Sequence, residues 1–265
     1  LVAARPYYLH VPTGYDGGSP MPLMLMLHGY GANHTIEGLY LGLENLADSR
    51  GFFYAAPDGT LDSSGSRFWN ATDACCNFDN LPVDDVAYLT AIFDDVEAHY
   101  LIDPKRVFVV GHSNGGFMTH RLACERSDRI AAAISLAGAQ WLDASLCSPT
   151  DPVSVVEVHG TADTTIPYDG GEADNTPGLP FFPSAHQTVA TWADKNGCTS
   201  TLTDAGAILD LDSVLAGDET IVERYDSCPQ GDVELWTIVG GAHIPNLTSD
   251  WPNEVCDYLF AHPKP

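Results

Sequence analysis

The chain has 265 residues, 45% of them hydrophobic, and 36 acidic side chains against 11 basic ones, for a formal net charge of −25. A chain of this length buries a substantial core and is read as one domain over residues 1–265. So acidic a surface repels phosphate backbones and anionic bilayers, which excludes nucleic acid and membrane surfaces as expected partners. The most apolar runs, 22–27 and 131–139, have the length of strands and fall well short of a membrane span.

In chain order, residues 7–11 read as a first strand, ended by a Pro/Gly-rich turn that runs to Pro22. Residues 23–27 follow as a buried strand leading into HGYGAN, then an amphipathic stretch over 39–50 and a strand over 52–56 closed by Pro57, Asp58 and Gly59. A polar excursion over 60–81 carries Trp69 and two adjacent cysteines. At Val83 the period changes, and Val86, Leu89, Ile92, Phe93 and Val96 fall on one helical stripe.

Residues 107–117, VFVVGHSNGGF, drive an apolar β-branched run into a serine flanked by small residues and then into a helix. A strand that turns into a helix on one residue holds that residue in a strained conformation and leaves no room for side chains at Gly111 and Gly115. Ser113 is therefore the nucleophile candidate. A helix to Arg126 follows, then strands over 131–137 and 153–158, a helix over 185–196, a long loop, a strand over 234–239 and a helix over 252–261. Strands alternating with helices imply a largely parallel sheet covered on both faces.

No basic, apolar leader opens the chain at Leu1, so the expectation is a cytosolic protein or one already processed. Seven cysteines without metal-like spacing favour disulfides, hence an oxidising, extracellular setting. Cys198 and Cys228 flank a Thr/Asp/Gly-rich segment and are the pair expected to bridge it. Cys75 and Cys76 are read as bridging, one each, to Cys124 and Cys147, which leaves Cys256 unpaired; the alternative is that several are buried free thiols.

A serine nucleophile needs a base, and the base an orienting acid. VEVHGTADTTIPY places Asp163 past one strand end, and WTIVGGAHIPN places His243 past the next. His243 is expected to take the serine proton and Asp163 to fix the imidazole tautomer, with Asp169 and Asp151 the alternative acids. His159 is read as a structural partner of the acid loop, and His112 as part of the packing around Ser113. The N–H of Asn114, just after the serine, and that of Tyr30 in the HGYG loop are the candidate oxyanion donors. Tyr30 and Trp69 are the candidate substrate contacts. Sequons at Asn33, Asn70 and Asn246 permit glycosylation. No zinc constellation is present in the sequence; neither metal nor cofactor is expected, and the chain is read as a monomer.

At these residues the chain resembles the extracellular polyhydroxybutyrate depolymerase and feruloyl esterase family, which includes acetylxylan-type esterases. The resemblance runs from about Tyr8 to Phe260 and is carried by LMLHGYGAN, FYAAPDGT, FWNATDACCNFDNLPVDDVAYL, VFVVGHSNGGFMTHRLACE, VEVHGTADTTIPYDGG, WADKNGC and LWTIVGGAH. It implies an α/β-hydrolase fold with Ser113, Asp163 and His243 as the triad, bridges around Cys75, Cys76 and Cys124 and between Cys198 and Cys228, and hydrolysis of a small-molecule or polymeric ester. One departure stands out: family members commonly follow the histidine with a Trp-Pro pair, whereas here Ile244 and Pro245 follow it and Trp251-Pro252 come later. The HGYG loop is also similar to that of cutinase-like polyester hydrolases. The rival readings are a prolyl-oligopeptidase-like serine peptidase and a non-catalytic binding scaffold.

Overall fold

The computed structural model describes residues 1–173 and 178–265. Its eleven strands and six α-helices are β1 (Tyr7–His10), β2 (Met21–Leu27), α1 (His34–Leu41), α2 (Ala47–Arg50), β3 (Phe53–Pro57), β4 (Thr60–Leu61), β5 (Arg67–Phe68), α3 (Asp85–His99), β6 (Ile102–His112), α4 (Asn114–Glu125), β7 (Ala132–Leu136), β8 (Ser154–Gly160), α5 (Ala185–Lys195), β9 (Leu202–Leu209), β10 (Thr220–Tyr225), β11 (Val233–Ile238) and α6 (Trp251–Ala261). Nine strands form one sheet in the order β1-β3-β2-β6-β7-β8-β11-β10-β9. From β3 to β11 every neighbouring pair is parallel, while β1 at one edge and β10 and β9 at the other run antiparallel. No helix among the described residues is long and apolar enough to cross a membrane.

The central strands read as continuous apolar runs because both sheet faces are covered, and their two-residue period divides the core. Leu23, Leu25, Leu27, Val107 and Val109 pack on one face with Leu89, Phe93, Phe117, Leu122 and Trp192 of α3, α4 and α5. Met24, Met26, Phe108 and Val110 pack on the other with Leu41, Ala47, Trp251, Val255 and Leu259 of α1, α2 and α6.

Three expectations need correction. The stretch over 39–50 is not one helix: α1 starts earlier, with the Asn33 side chain accepting from the N–H groups of Thr35 and Ile36, and Gly42 in the left-handed region (φ 65°) breaks it from a short 3-10 turn and α2. The long loop after α5 contains β9 and β10, which extend the sheet beyond β11. On these strands half or more of the side chains escape full burial, so the apolar alternation that betrays a strand is weak there. Finally, Cys75 pairs with its neighbour Cys76, and Cys124 with Cys147, rather than across the two sets. The end of α4 and the β7–β8 connection hold Cys124 and Cys147 against each other, a proximity that spacing alone does not reveal. Cys198 and Cys228 are bonded as expected, and Cys256 is a buried free thiol.

Candidate active site

Ser113 stands between β6 and α4 with φ 56° and ψ −121°, the only way the chain can turn from strand to helix on one residue. The turn is possible because two backbones meet where glycines stand. A Cβ on Gly111 would lie 2.2 Å from the Gly115 carbonyl oxygen, and one on Gly115 would lie 2.1 Å from that of Leu27. Parallel β6, β8 and β11 deliver their carboxyl ends to one edge of the sheet, so Ser113, Asp163 and His243 arrive together. The acid and histidine loops are clamped by the Ala162 N–H donating to the Gly241 carbonyl at 2.9 Å.

The three side chains form a continuous line. Ser113 Oγ lies 2.9 Å from His243 Nε2, and His243 Nδ1 lies 2.7 Å from Asp163 Oδ2. The other Asp163 oxygen accepts the N–H groups of Thr165 and Ile166, both at 2.8 Å. Burial works to raise the Asp163 carboxyl, but hydrogen bonds from His159, His243 and Ile166 outweigh it and hold the group well below the usual carboxylate range. Asp163 is thus an anion that faces the imidazole next to the serine. Asp169 and Asp151 are not in this line.

The HGYG loop is fixed from below. The Gly59 N–H donates to His28 Nε2 at 2.8 Å, so the ring's proton sits on Nδ1, which donates to the Gly29 carbonyl at 2.7 Å. Burial pushes the His28 imidazolium down, which favours this neutral tautomer. In a trans peptide N–H and C=O point opposite ways, so holding the Gly29 carbonyl also aims the Tyr30 N–H. The flanking N–H groups are engaged, Gly29 with Glu37 Oε2 at 2.9 Å and Gly31 with the Arg67 carbonyl at 2.8 Å; that of Tyr30 meets no acceptor among the described residues. The Asn114 N–H, first in α4, is likewise open.

Trp69 is not a substrate contact. Its ring is fully buried, its Nε1–H donates to the His28 carbonyl at 2.9 Å, and its backbone exchanges two hydrogen bonds with the Asn114 side chain. A large ring in a polar excursion is needed here as a prop beneath both candidate oxyanion donors. Tyr30 does line the cleft, its hydroxyl donating to Asp62.

The cleft above Ser113 holds about 400 Å³ and is lined by Tyr30, Ile36, Tyr40, Thr165 and Ile244 together with Ser113 and His243. Glu37, which the sequence did not single out, and His112, read there as packing around Ser113, organise its wall. Glu37, buried on α1, holds the Gly29 N–H and brings Oε1 to 3.2 Å from His112 Nδ1. His112 Nε2 in turn donates to the His243 carbonyl at 3.0 Å. An acid in the first turn of a helix ordinarily reads as a surface residue, and nothing in the local sequence marks Glu37 otherwise. Among the described residues no group of three or more His, Cys, Asp or Glu is placed to hold a metal ion.

Residues 22–174 match the family described as the alpha/beta hydrolase fold. The chain belongs to the α/β-hydrolase fold family. This α/β-hydrolase is 28% identical over 246 residues to feruloyl esterase B of Piromyces equi, covering 90% of this chain and 42% of that one. It is 32% identical over 207 residues to feruloyl esterase C of Emericella nidulans, covering 76% and 65%. The chain thus spans less than two thirds of either relative's length. Among solved structures, an acetyl xylan esterase from Aspergillus awamori superposes with a TM-score of 0.68 at 15% identity, over 96% of this chain and 93% of that one, which shows the shared fold.

Proposed function

We propose that this α/β-hydrolase is a serine carboxylic ester hydrolase that works through an acyl-enzyme. One observation carries the reading: an unbroken hydrogen-bonded line from Ser113 through His243 to an ionised Asp163, opening into an apolar cleft. In the forward step Ser113 Oγ attacks the ester carbonyl while His243 Nε2 takes its proton. The carbonyl oxygen becomes an oxyanion that accepts the N–H groups of Tyr30 and Asn114. As the C–O bond to the alcohol breaks, His243 returns the proton to the leaving oxygen. Water then enters, gives a proton to the same nitrogen, and releases the acid with Ser113 restored.

The finer substrate class is the ester of an aromatic or hydroxy acid. Flat Tyr30 and Tyr40 and branched Ile36 and Ile244 suit a planar or short apolar acyl group. The similarity to feruloyl esterases points the same way. Exposed Ile36 and Ile244 at the opening, with exposed Phe78 packed against Tyr30, also suit a polyester chain such as polyhydroxybutyrate or an aromatic polyester. Three disulfides fit a protein that works outside the cell, and we read it as a monomer.

The test is hydrolysis of p-nitrophenyl acetate, methyl ferulate, acetylated xylan, polyhydroxybutyrate film, an aromatic polyester and a peptide anilide, with product analysis. Methyl ferulate or polyester cleavage that disappears in Ser113→Ala supports the reading. Undiminished activity in Ser113→Ala, or dominant anilide cleavage, overturns it.

A further inference from the structure

Behind Asp163 the structure buries a second row of ionisable groups that the acyl-enzyme steps leave unused. Glu157 and His159, two residues apart on β8, lie on the same sheet face, both essentially without solvent contact. Hydrogen-bond chemistry fixes most of the protons in this row. Trp192 Nε1 can only donate, and it lies 3.0 Å from His120 Nδ1, so the His120 proton is on Nε2 and is donated to Glu157 Oε2 at 2.9 Å. On His159, Nε2 lies 2.8 Å from the Ile166 carbonyl, which can only accept, so Nε2 carries a proton. His159 Nδ1 lies 3.0 Å from Glu157 Oε1, and one proton is shared between them.

That proton's home decides whether the pair is ionic or neutral. Two negative ends face the far side of the ring: the Ile166 carbonyl and, at 3.4 Å, the Asp163 oxygen that also serves His243. Glu157, for its part, already accepts the His120 N–H on Oε2 at 2.9 Å, so each of its oxygens faces a ring nitrogen. The two negative ends beyond the ring put the proton on nitrogen. We propose that His159 is a resident imidazolium, a positioning residue that keeps buried Asp163 ionised and withholds part of its charge from His243. The proposal rests on reading Ser113, His243 and Asp163 as the reacting groups. Burial works against a charged ring here, yet the two carboxylates outweigh it and push His159 up to about 9. The groups facing His159 are Glu157 and Asp163 from β8 and the loop after it, His120 of α4 through Glu157, Tyr168 edge-on at 5.7 Å, and His243 beyond Asp163.

A cation in this place has a function. Without it, Asp163 loses one of the hydrogen bonds that offset its burial, and the charge it keeps falls on His243 alone. With it, Asp163 stays an anion whose charge is shared between two rings.

The experiment is nitrogen NMR of ¹⁵N-histidine-labelled wild-type protein across pH 6–10, with the His159 ring assigned through its contact with the Tyr168 ring. The expected result is a ring protonated on both nitrogens at pH 8; a bare nitrogen on His159 at pH 7 overturns the proposal. This readout needs no turnover, so absence of esterase activity would remove the functional reading and leave the charge assignment standing. The second arm is the acid limb of kcat/KM for p-nitrophenyl acetate, which moves up by about one pH unit in His159→Gln. A limb that does not move, in a folded variant, overturns the positioning role.

Discussion

Replacing Glu37 tests whether the wall of the cleft is organised by the one buried carboxylate that touches both the HGYG loop and the elbow. In Glu37→Ala the buried Gly29 N–H loses a charged acceptor at 2.9 Å, and His112 loses the oxygen 3.2 Å from Nδ1. A hydrogen bond to a charged group contributes about 1.5–3 kcal/mol. Removing the carboxylate also relieves its own desolvation, so the net loss is about 2 kcal/mol. Glu37→Gln keeps an oxygen for Gly29 and sets an amide donor before His112, so it costs about 1 kcal/mol or less. The functional consequence is larger than the structural one. Without Glu37 the Gly29 N–H loses its anchor, the loop carrying the Tyr30 N–H is held at the Gly29 carbonyl alone, and misplacing that one oxyanion donor lowers kcat by up to about 10²–10³. Urea unfolding at pH 7 and steady-state kinetics on p-nitrophenyl butyrate give both quantities. The expected pattern is a fall in kcat with little change in KM in the Ala variant, mostly restored in the Gln variant. Wild-type kcat in a folded Glu37→Ala protein would refute the reasoning.

Cys198→Ala with Cys228→Ala opens a loop of sequence separation 30, and in the chain-entropy model this costs about 3–4 kcal/mol, read from the urea midpoint of the double variant. His159 is raised in the fold to about 9 from an ordinary value near 6.5, so its stabilisation is complete below about pH 6.5 and is lost as pH rises through about 9. The stability gap between wild type and His159→Gln should therefore shrink by about 3 kcal/mol from pH 6 to pH 10, and a gap that widens would contradict the sign. Gly115→Ala places a methyl 2.1 Å from the Leu27 carbonyl oxygen and 2.8 Å from that of His28, forcing the HGYG loop away from Ser113. Loss of about 3 kcal/mol or more, or an insoluble product, is expected, and a wild-type urea midpoint would show that the elbow tolerates a side chain.

Residues whose role follows from backbone geometry were the most legible in the sequence. Ser113 announces itself because a strand-to-helix turn needs glycine at Gly111 and Gly115, and the α/β alternation fixes which strand ends share an edge with it. Asp163 and His243 were readable for the same reason, each lying just past an apolar strand. What escaped depends on contacts between segments distant in sequence. Nothing local distinguishes Glu37 from a solvated helix acid, or Trp69 from a cleft aromatic, until the His28 carbonyl is seen to take its N–H. The pairing of Cys124 with Cys147 depends on where the end of α4 meets the β7–β8 connection. Strands β9 and β10 lay hidden because an edge of the sheet buries too few side chains to impose a period.

The central claim, that Ser113 is a nucleophile activated by His243 and Asp163, is tested most directly by covalent labelling with diethyl p-nitrophenyl phosphate followed by intact-mass and peptide analysis. The account predicts one phosphoryl adduct per chain, located on Ser113, absent in Ser113→Ala and formed at least about 10³-fold more slowly in His243→Ala. An adduct on another residue, or labelling of His243→Ala at the wild-type rate, would contradict it.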